Sequence, residues 1–168
     1  MNKNLPLSNI VVLDLTNVLS GPFATQILSD LGAEIIKVEK PNGDDSRKFG
    51  PFIKKRSSYF ISLNRGKKSI VVDFNNEEDK KIFKKLLAIS DVIIDNFKPG
   101  TLEKYGFSSS YLKKNFPLLI QTKISGFGET GPLKENPAYD MIVQAMGGIM
   151  SITGKDKKRN LQSWFVNW

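Results

Sequence analysis

Asp91-Val-Ile-Ile-Asp-Asn-Phe-Lys-Pro-Gly100 has the form of a buried parallel strand that runs into a polar loop. In open α/β sheets, ligands bind outside the carboxyl ends of such strands. The carboxamide of Asn96, the ring of Phe97 and the ammonium group of Lys98 could therefore hold a nucleotide by its base edge, base face and phosphate. The alternative is an ordinary strand end followed by a Pro-Gly turn.

Segments of strand and helix character alternate on both sides of this stretch. The predicted strands span residues 9–15, 34–39, 69–73, 92–94 and 118–124; the predicted helices span 21–31, 77–87 and 139–152, with short helical pieces near 101–105 and 109–114. The first helix places Phe23, Ile27, Leu28 and Leu31 on one face, and residues 40–58 are expected to be irregular. This alternation predicts an α/β fold: a Rossmann-like, doubly wound, mainly parallel sheet with flanking helices.

Length and composition limit the classes of protein to consider. A chain of 168 residues with a hydrophobic fraction of 40% suits one globular domain. We assign residues 1–154 to the α/β domain and residues 155–168, which contain both tryptophans, to a divergent or frameshifted carboxy-terminal tail. No apolar run is long enough to cross a bilayer, and without cysteine there is no disulfide or thiolate metal site. We expect a cytoplasmic protein with no metal and no membrane association.

The formal charge of +8 and the absence of histidine bear on function. A basic surface favours polyanionic partners, and a non-catalytic module that binds nucleotides or nucleic acid is one hypothesis. Aromatic residues are not interleaved with the basic clusters, however, which disfavours a nucleic-acid partner. Without histidine, the commonest general base and the commonest metal ligand are missing. Any catalysis must use carboxylates, lysines, hydroxyl groups or backbone dipoles.

Gly126-Phe-Gly-Glu-Thr-Gly131 matches the G-x-G-x-x-G pattern of dinucleotide-binding proteins and follows a predicted strand. In that motif a helix begins at once. Here Pro132 and Pro137 prevent a helix before about Ala138. We therefore interpret the segment as a glycine-hinged flap beside a site, with a plain surface turn as the alternative.

In its order and spacing of motifs, the chain resembles the amino-terminal part of the class III coenzyme A transferases. This family includes formyl-CoA and carnitine CoA-transferases and the α-methylacyl-CoA racemases. The segments that carry the resemblance are residues 14–22, 31–39, 64–69, 91–100, 125–132 and 138–140. They are collinear over about residues 8–154. The resemblance implies a truncated large domain of such an enzyme.

The resemblance implies a set of residues that contact coenzyme A or acyl-CoA, the expected substrate. They follow the ends of predicted elements: Val18, Leu19, Ser20, Lys40, Val72, Asp73, Phe74, Asn75, Asn96, Phe97, Lys98 and Lys104. Lys40 would contact the CoA phosphates and Lys104 the 3′-phosphate, although lysine lacks the bidentate fork of arginine. The segments 72–75 and 96–98 would flank the adenine.

The resemblance also implies a reaction. In the family, an aspartate attacks the acyl-CoA thioester, and the resulting mixed anhydride becomes an aspartyl-CoA thioester that a carboxylic acid resolves. The flap glycines would be Gly126, Gly128 and Gly131 with Phe127, and Asp140 would be a supporting carboxylate near the catalytic centre. Racemases of the family carry a histidine-aspartate pair where this chain has Tyr139 and Asp140. The transferases are therefore the better match, and a racemase-like fragment is the alternative.

One departure from the family concerns the nucleophile itself. The aspartate that forms the covalent intermediate lies a short strand beyond the Gly147-Gly148 helix, and this sequence reaches Trp168 at or just before that point. We expect the nucleophile to be absent from these 168 residues and the chain to be catalytically incomplete. Full-length relatives form interlocked homodimers. The acyl donor and the acceptor acid are not identified by the residues present.

Overall fold

The computed structural model describes residues 5–153. The chain divides into two compact units, the first ending at Ile124 and the second beginning at Ser125. The first unit contains a five-stranded sheet with its helices and a small two-stranded ribbon, and the described part of the second contains a long loop and two short helices. Within the described residues, no helix is both long enough and apolar enough to cross a membrane.

The strands and helices of the first unit follow the predicted alternation. The elements are β1 (Val11–Asp14), α1 (Ser20–Asp30), β2 (Glu34–Glu39), a 3₁₀ turn (Asp45–Lys48), β3 (Phe52–Ile53), β4 (Arg56–Ser57), α2 (Ser58–Asn64), β5 (Lys68–Val71), α3 (Glu77–Ala88), β6 (Val92–Asp95), α4 (Thr101–Lys104), α5 (Ser109–Asn115) and β7 (Ile120–Lys123). The second unit contains α6 (Asp140–Met146) and α7 (Ile149–Ile152).

The large sheet is parallel and doubly wound. Its strand order is β5-β2-β1-β6-β7, so the chain moves outward in one direction from β1 and then returns to the other side of β1. In register, Leu13 lies beside Ile36 on one side and Ile93 on the other. The topological switch point therefore falls between β1 and β6, and ligands bind at such a point outside the carboxyl ends of the strands.

Alternating strand residues build an apolar layer on each face of the sheet. Leu13, Ile36 and Ile93 join one cluster, whose largest members are the buried rings of Phe83 and Phe107. The neighbouring residues Val12, Ile35 and Ile94 point to the opposite layer. Because both faces are covered, the central strands read as continuous apolar runs, which is the pattern of a parallel sheet.

The predicted fold class is confirmed, and three local predictions need correction. The apolar stripe of α1 packs against the core only through Leu28, since Phe23, Ile27 and Leu31 are exposed and the buried residues of the helix include Thr25 and Gln26. The segment 40–58 is not irregular throughout, because it contains the 3₁₀ turn and the β3–β4 ribbon, and α2 begins at its last residue. The last predicted helix is two helices, separated at Gly147-Gly148, where Gly148 has a φ of 76°.

Residues 155–168, the predicted tail, lie outside the described part of the chain. The second unit begins at Ser125, within the α/β domain that we had assigned to residues 1–154. That domain assignment therefore remains a prediction.

Candidate functional site

A cavity of about 180 Å³ opens at the carboxyl ends of the parallel strands. Its lining residues come from the ends of four strands and from α4: Asn17, Val38, Glu39, Lys40, Val72, Phe74, Phe97, Thr101, Leu102 and Tyr105. The walls combine three aromatic rings with aliphatic side chains, and Lys40 stands at the edge with half of its side chain exposed. The volume is below that of a site for a whole drug-sized ligand. It suits one planar group with an anionic substituent.

The aromatic wall of the cavity is rigidly supported. Phe74 stacks on Tyr105, with ring centroids 5.2 Å apart and an interplanar angle of 26°. Phe74 also packs edge to face on Phe83 at 4.9 Å and on Phe107 at 6.0 Å, and both of those rings are buried. Edge-to-face and offset-stacked pairs stabilise an aromatic cluster beyond the burial of its area. The rings at the cavity are therefore held in place by the core.

The loop between β1 and α1 forms another side of the site. Asn17 lines the cavity, and the backbone of Val18 lies in the left-handed region with a φ of 69°. Asn96, at the end of β6, accepts a hydrogen bond from Asn17 N at 2.9 Å and donates one to Asn17 O at 2.8 Å. Leu19 and Ser20 follow at the start of α1, and both are exposed.

Two buried ion pairs lie beneath this loop. Lys37 Nζ lies 2.9 Å from Asp44 Oδ2, and Lys67 Nζ lies 3.1 Å from Asp14 Oδ2; all four side chains are at most 1% exposed. Lys37 also donates to Thr16 O at 2.8 Å. Removing one member of such a pair would leave an uncompensated buried charge. The pairs therefore fix the backbone around the site.

Burial and hydrogen bonding act in opposite directions on the pKa values of these groups. Burial lowers the pKa of Lys67, against the attraction of Asp14. Burial alone would raise the pKa of Asp44, but the hydrogen bonds from Ser46 and the charge of Lys37 outweigh it and lower that pKa. Asp44 is thus held ionised beside Lys37, as its place in the pair requires.

Glu39 is a buried acid at the end of β2 whose charge is balanced by Arg47. The guanidinium donates to both carboxylate oxygens at 2.6 Å, and Ser69 Oγ and Asp44 N donate as well. Burial disfavours the charge, yet these hydrogen bonds prevail and lower the pKa of Glu39 from 4.5 to about 2. Arg47 also lies over the ring of Phe60, 3.7 Å from its centroid. Glu39 therefore adds little net negative charge to the cavity.

Lys40 is paired with a carboxylate. Its Nζ lies 2.7 Å from Asp45 Oδ1, and the two side chains are 51% and 53% exposed. Exposed pairs of this kind contribute about 0–1 kcal/mol. An incoming phosphate would need only to displace Asp45, and it would then meet Lys40 at the mouth of the cavity.

The other predicted contact residues lie around the cavity without lining it. Asp73 and Asn75 form the turn before α3, where Asp73 Oδ1 accepts from the backbone and side chain of Asn75 at 2.9 and 3.0 Å. Lys98 and Lys104 are exposed, at the start of the loop after β6 and at the end of α4. The structure thus brings Lys40, Val72, Phe74 and Phe97 together at one cavity and leaves the remaining ones at its periphery.

Six lining residues were missed by the sequence reasoning: Asn17, Val38, Glu39, Thr101, Leu102 and Tyr105. The last three belong to α4 and its carboxyl end, and this helix follows Gly100, whose φ is 78°. The dipeptide Pro99-Gly100 was a signal for a turn at that point. The short helical piece near residues 101–105 was predicted, but no local pattern indicates that Tyr105 stacks on Phe74.

In the second unit, residues 125–139 contain no helix, and α6 begins at Asp140. The expectation that Gly126 to Gly131 would not open a helix is therefore confirmed. Gly128 and Gly131 have φ values of 79° and 90°, which glycine adopts without strain. Asp140 is exposed and accepts a hydrogen bond from Gln144 within α6. Across residues 5–153, no group of three or more acids, histidines or cysteines could hold a metal.

Comparisons with known proteins indicate one family. The model of a family described as CoA-transferase family III matches residues 7–167. The chain is 51% identical over 150 residues to the acetyl-CoA:oxalate CoA-transferase of Acetobacter aceti, a match that covers 89% of the chain and 39% of the relative. It is 48% identical over 153 residues to the succinyl-CoA:glutarate CoA-transferase of Mus musculus, covering 90% of the chain and 35% of the relative.

The fold also matches solved structures. A CAIB/BAIF family protein from Brucella suis superposes with a TM-score of 0.88 at 44% identity, and the match covers 96% of this chain and 44% of that one. The chain therefore spans about two-fifths of the length of the relatives that it matches.

Proposed function

This chain belongs to CoA-transferase family III, and we propose that its first unit binds the nucleotide end of an acyl-CoA in the cavity at the carboxyl ends of the strands. The observation that carries the proposal is the convergence of Phe74, Phe97 and Tyr105 with Lys40 at one cavity. Aromatic rings offer faces on which an adenine can stack, and the ammonium group offers a charge for a phosphate. The position at the switch point of a doubly wound sheet supports the same assignment.

The phosphates of CoA would lie along the exposed lysines. Lys40 stands at the mouth of the cavity, and Lys98 and Lys104 are exposed on the loop and helix that follow β6. Each is a point charge with flexible reach, which suits contact with phosphates that remain partly hydrated. The loop 18–20 would then approach the pantetheine part of the substrate.

In the whole protein, we propose the transfer of CoA between an acyl-CoA and a carboxylic acid. An aspartate oxygen attacks the thioester carbonyl carbon and the CoA thiolate leaves, giving a mixed anhydride. The thiolate attacks the aspartyl carbonyl and releases the first acid. The acceptor carboxylate then attacks the aspartyl-CoA thioester, and the released thiolate takes the acceptor acyl group and frees the aspartate. A carboxylate nucleophile is already ionised near pH 7. This chemistry therefore suits a chain without histidine or cysteine.

Three further parts of the proposal rest on the resemblance to the family. We propose that Asp140 supports the reaction, that the whole protein is an interlocked homodimer and that it works in the cytoplasm. The two relatives named above act on dicarboxylic acids by their names, and a dicarboxylate acceptor is proposed for the whole protein. Because the 168 residues span about two-fifths of the length of these relatives, we expect no acyl-CoA transfer by the purified chain alone, and turnover would contradict this expectation.

The decisive experiment is a calorimetric titration of the chain with CoA. We expect saturable binding that is weaker with 3′-dephospho-CoA and weaker again in Phe97→Ala. Leu118→Ala is the matched control, because Leu118 is 92% exposed and does not line the cavity. Absence of binding at millimolar CoA, or equal binding by Phe97→Ala and the parent, would overturn the proposed site.

A further inference from the structure

The loop that joins β1 to α1 has a backbone conformation that its own sequence disfavours. Val18 has a φ of 69°, in the left-handed region that is a genuine outlier for a β-branched residue. Neither of its neighbours, Asn17 and Leu19, is a glycine. Such residues persist only where the surrounding structure over-determines them, and they cluster at ligand sites.

Three side chains from three other parts of the fold hold consecutive residues of this loop. The contacts are Lys37 Nζ to Thr16 O at 2.8 Å, Asn17 N to Asn96 Oδ1 at 2.9 Å, Asn96 Nδ2 to Asn17 O at 2.8 Å, and Val18 N to Asp44 Oδ1 at 3.3 Å. Lys37 and Asp44 are themselves paired and buried. Val18 is therefore the last residue of a segment, residues 16–18, that these side chains hold in place; we call this set of contacts the clamp.

Asn96 has the most informative position in this clamp. Its side chain makes one hydrogen bond at each end of the carboxamide, and both go to the backbone of Asn17. Asn17, in turn, lines the cavity. The amide group is therefore turned toward the loop, while the neighbouring ring of Phe97 lines the cavity.

We propose that Asn96 is a positioning residue: with Asp44 and Lys37 it holds the β1–α1 loop in the strained conformation at Val18, and the substrate meets this loop and not the Asn96 side chain. The inference rests on the proposed function, because the loop is taken to contact acyl-CoA. It changes the role expected from the sequence, in which the carboxamide reads the edge of a base. The strain is offset by the clamp, so the loop is already in its binding conformation before the ligand arrives.

The test measures the CoA affinity of the whole chain. It asks whether a residue that adopts a positive φ without strain makes the hydrogen bonds of Asn96 unnecessary. In Asn96→Ala, the loop can relax away from the left-handed conformation, and we expect CoA to bind about tenfold more weakly. Adding Val18→Gly should restore most of the affinity, because glycine adopts a positive φ without the clamp. Adding Val18→Ala should not, because alanine retains the Cβ that disfavours this conformation. Asn115→Ala, on the exposed end of α5, should bind as the parent does.

Two outcomes would overturn the inference. If the double variant with Val18→Gly binds as weakly as Asn96→Ala alone, Asn96 contacts the ligand directly. If Val18→Ala restores affinity as well as Val18→Gly does, strain at residue 18 is not the cause. Melting temperatures of all variants show whether any change in affinity follows from loss of folding.

A second measurement separates this inference from the proposed function. The protection of the residue-18 amide against hydrogen exchange, corrected for intrinsic rates, reports the clamp without any ligand. We expect protection to fall in Asn96→Ala and to return with Val18→Gly but not with Val18→Ala. This pattern, together with no CoA binding by the parent, would contradict the proposed ligand while supporting the clamp. Unchanged protection in Asn96→Ala would contradict the clamp whatever the ligand.

Discussion

Lys40 is held by a carboxylate at the place where a phosphate is expected. Asp45 lies 2.7 Å from it, and both side chains are half exposed. Asp45→Asn would remove the competing charge without changing the shape of the loop. We expect CoA to bind about 1.4- to fivefold more tightly, since exposed pairs contribute roughly 0.2–1 kcal/mol. Calorimetric titration at two salt concentrations checks this, and the gain should shrink at the higher one because salt screens exposed charges.

The control for this change is Glu34→Gln. Glu34 pairs with Lys68 at 2.6 Å, at the amino end of β2 and away from the cavity. Its replacement should leave the affinity for CoA unchanged. Equal effects of the two substitutions would mean that only the net charge of the protein matters, and the specific competition at Lys40 would be rejected.

Glu39 makes the stability of the protein depend on acidity. Its pKa is about 2 in the folded chain and 4.5 without the structure, so its contribution is complete above pH 4.5 and is lost as the pH falls toward 2. Each pKa unit corresponds to ~1.4 kcal/mol, and exposure of the Arg47 partner reduces the total to roughly 1–2 kcal/mol. Denaturant unfolding at a series of acidic pH values should show a shallower loss of stability in Glu39→Gln than in the parent.

The exposed Glu103→Gln on α4 is the matched control and should follow the parent curve. A parent and a Glu39→Gln variant that lose stability in parallel below pH 4.5 would exclude the carboxylate–guanidinium pair as the cause.

The position of a site residue was predictable where it follows directly from the end of a strand. The contacts of a residue were not predictable where they depend on a partner far away in the sequence. Lys40, Val72, Phe74 and Phe97 line the cavity because residues at the carboxyl ends of parallel strands meet at one edge. Asn96 was identified at the right place, but its hydrogen bonds depend on the backbone of a loop that lies 79 positions earlier. No local pattern reports such a distant partner.

Helix α1 inverts the usual relation between hydropathy and burial. Thr25 is fully buried and its hydroxyl donates to Asp14 Oδ2 at 2.6 Å, whereas Phe23 is 54% exposed. Thr25→Val would leave the buried Asp14–Lys67 pair without that hydroxyl and should lower the free energy of unfolding by about 1–3 kcal/mol. Phe23→Ser should change it by roughly 0.5 kcal/mol or less. Urea unfolding of both variants measures the difference.

This interpretation of α1 would be rejected if Phe23→Ser lowered the free energy of unfolding more than Thr25→Val does. The inversion explains why the helix was predicted at the right place although three of the four residues of its apolar stripe are exposed. The apolar residues of α1 recur with a helical period. The side of the helix that is buried, however, is the one that contacts the charged pair Asp14 and Lys67, and these two residues lie outside the helix.

Elements were predicted well where their signals are local. The strand Glu34–Glu39 has its predicted bounds, because a β-branched run ends at a proline-containing turn. Helix α2 was missed although Ser57 caps it through a hydrogen bond from Phe60 N at 3.0 Å. It has only seven residues and follows a basic run, so its cap was the one signal present.

The molecule as a whole exposes apolar surface along an edge strand. β7 is the outermost strand of the large sheet, Ile120 is 60% exposed and Leu118 just before it is 92% exposed. Edge strands with unpaired backbone groups and apolar side chains promote association between chains. We therefore expect the purified chain to self-associate as its concentration rises, visible as growing weight-average mass in sedimentation velocity.

Ile120→Lys places a charge on this edge and should shift the chain toward the monomer, because a lysine on an edge strand opposes the approach of a second sheet. Ile89→Lys is the matched control: Ile89 is 62% exposed, but it caps α3 and does not belong to a strand. If both substitutions reduce association equally, added charge alone explains the effect. If neither does, association uses another surface, and the exposed apolar stripe of Phe23, Ile27 and Leu31 on α1 becomes the surface to test by the same substitution to lysine.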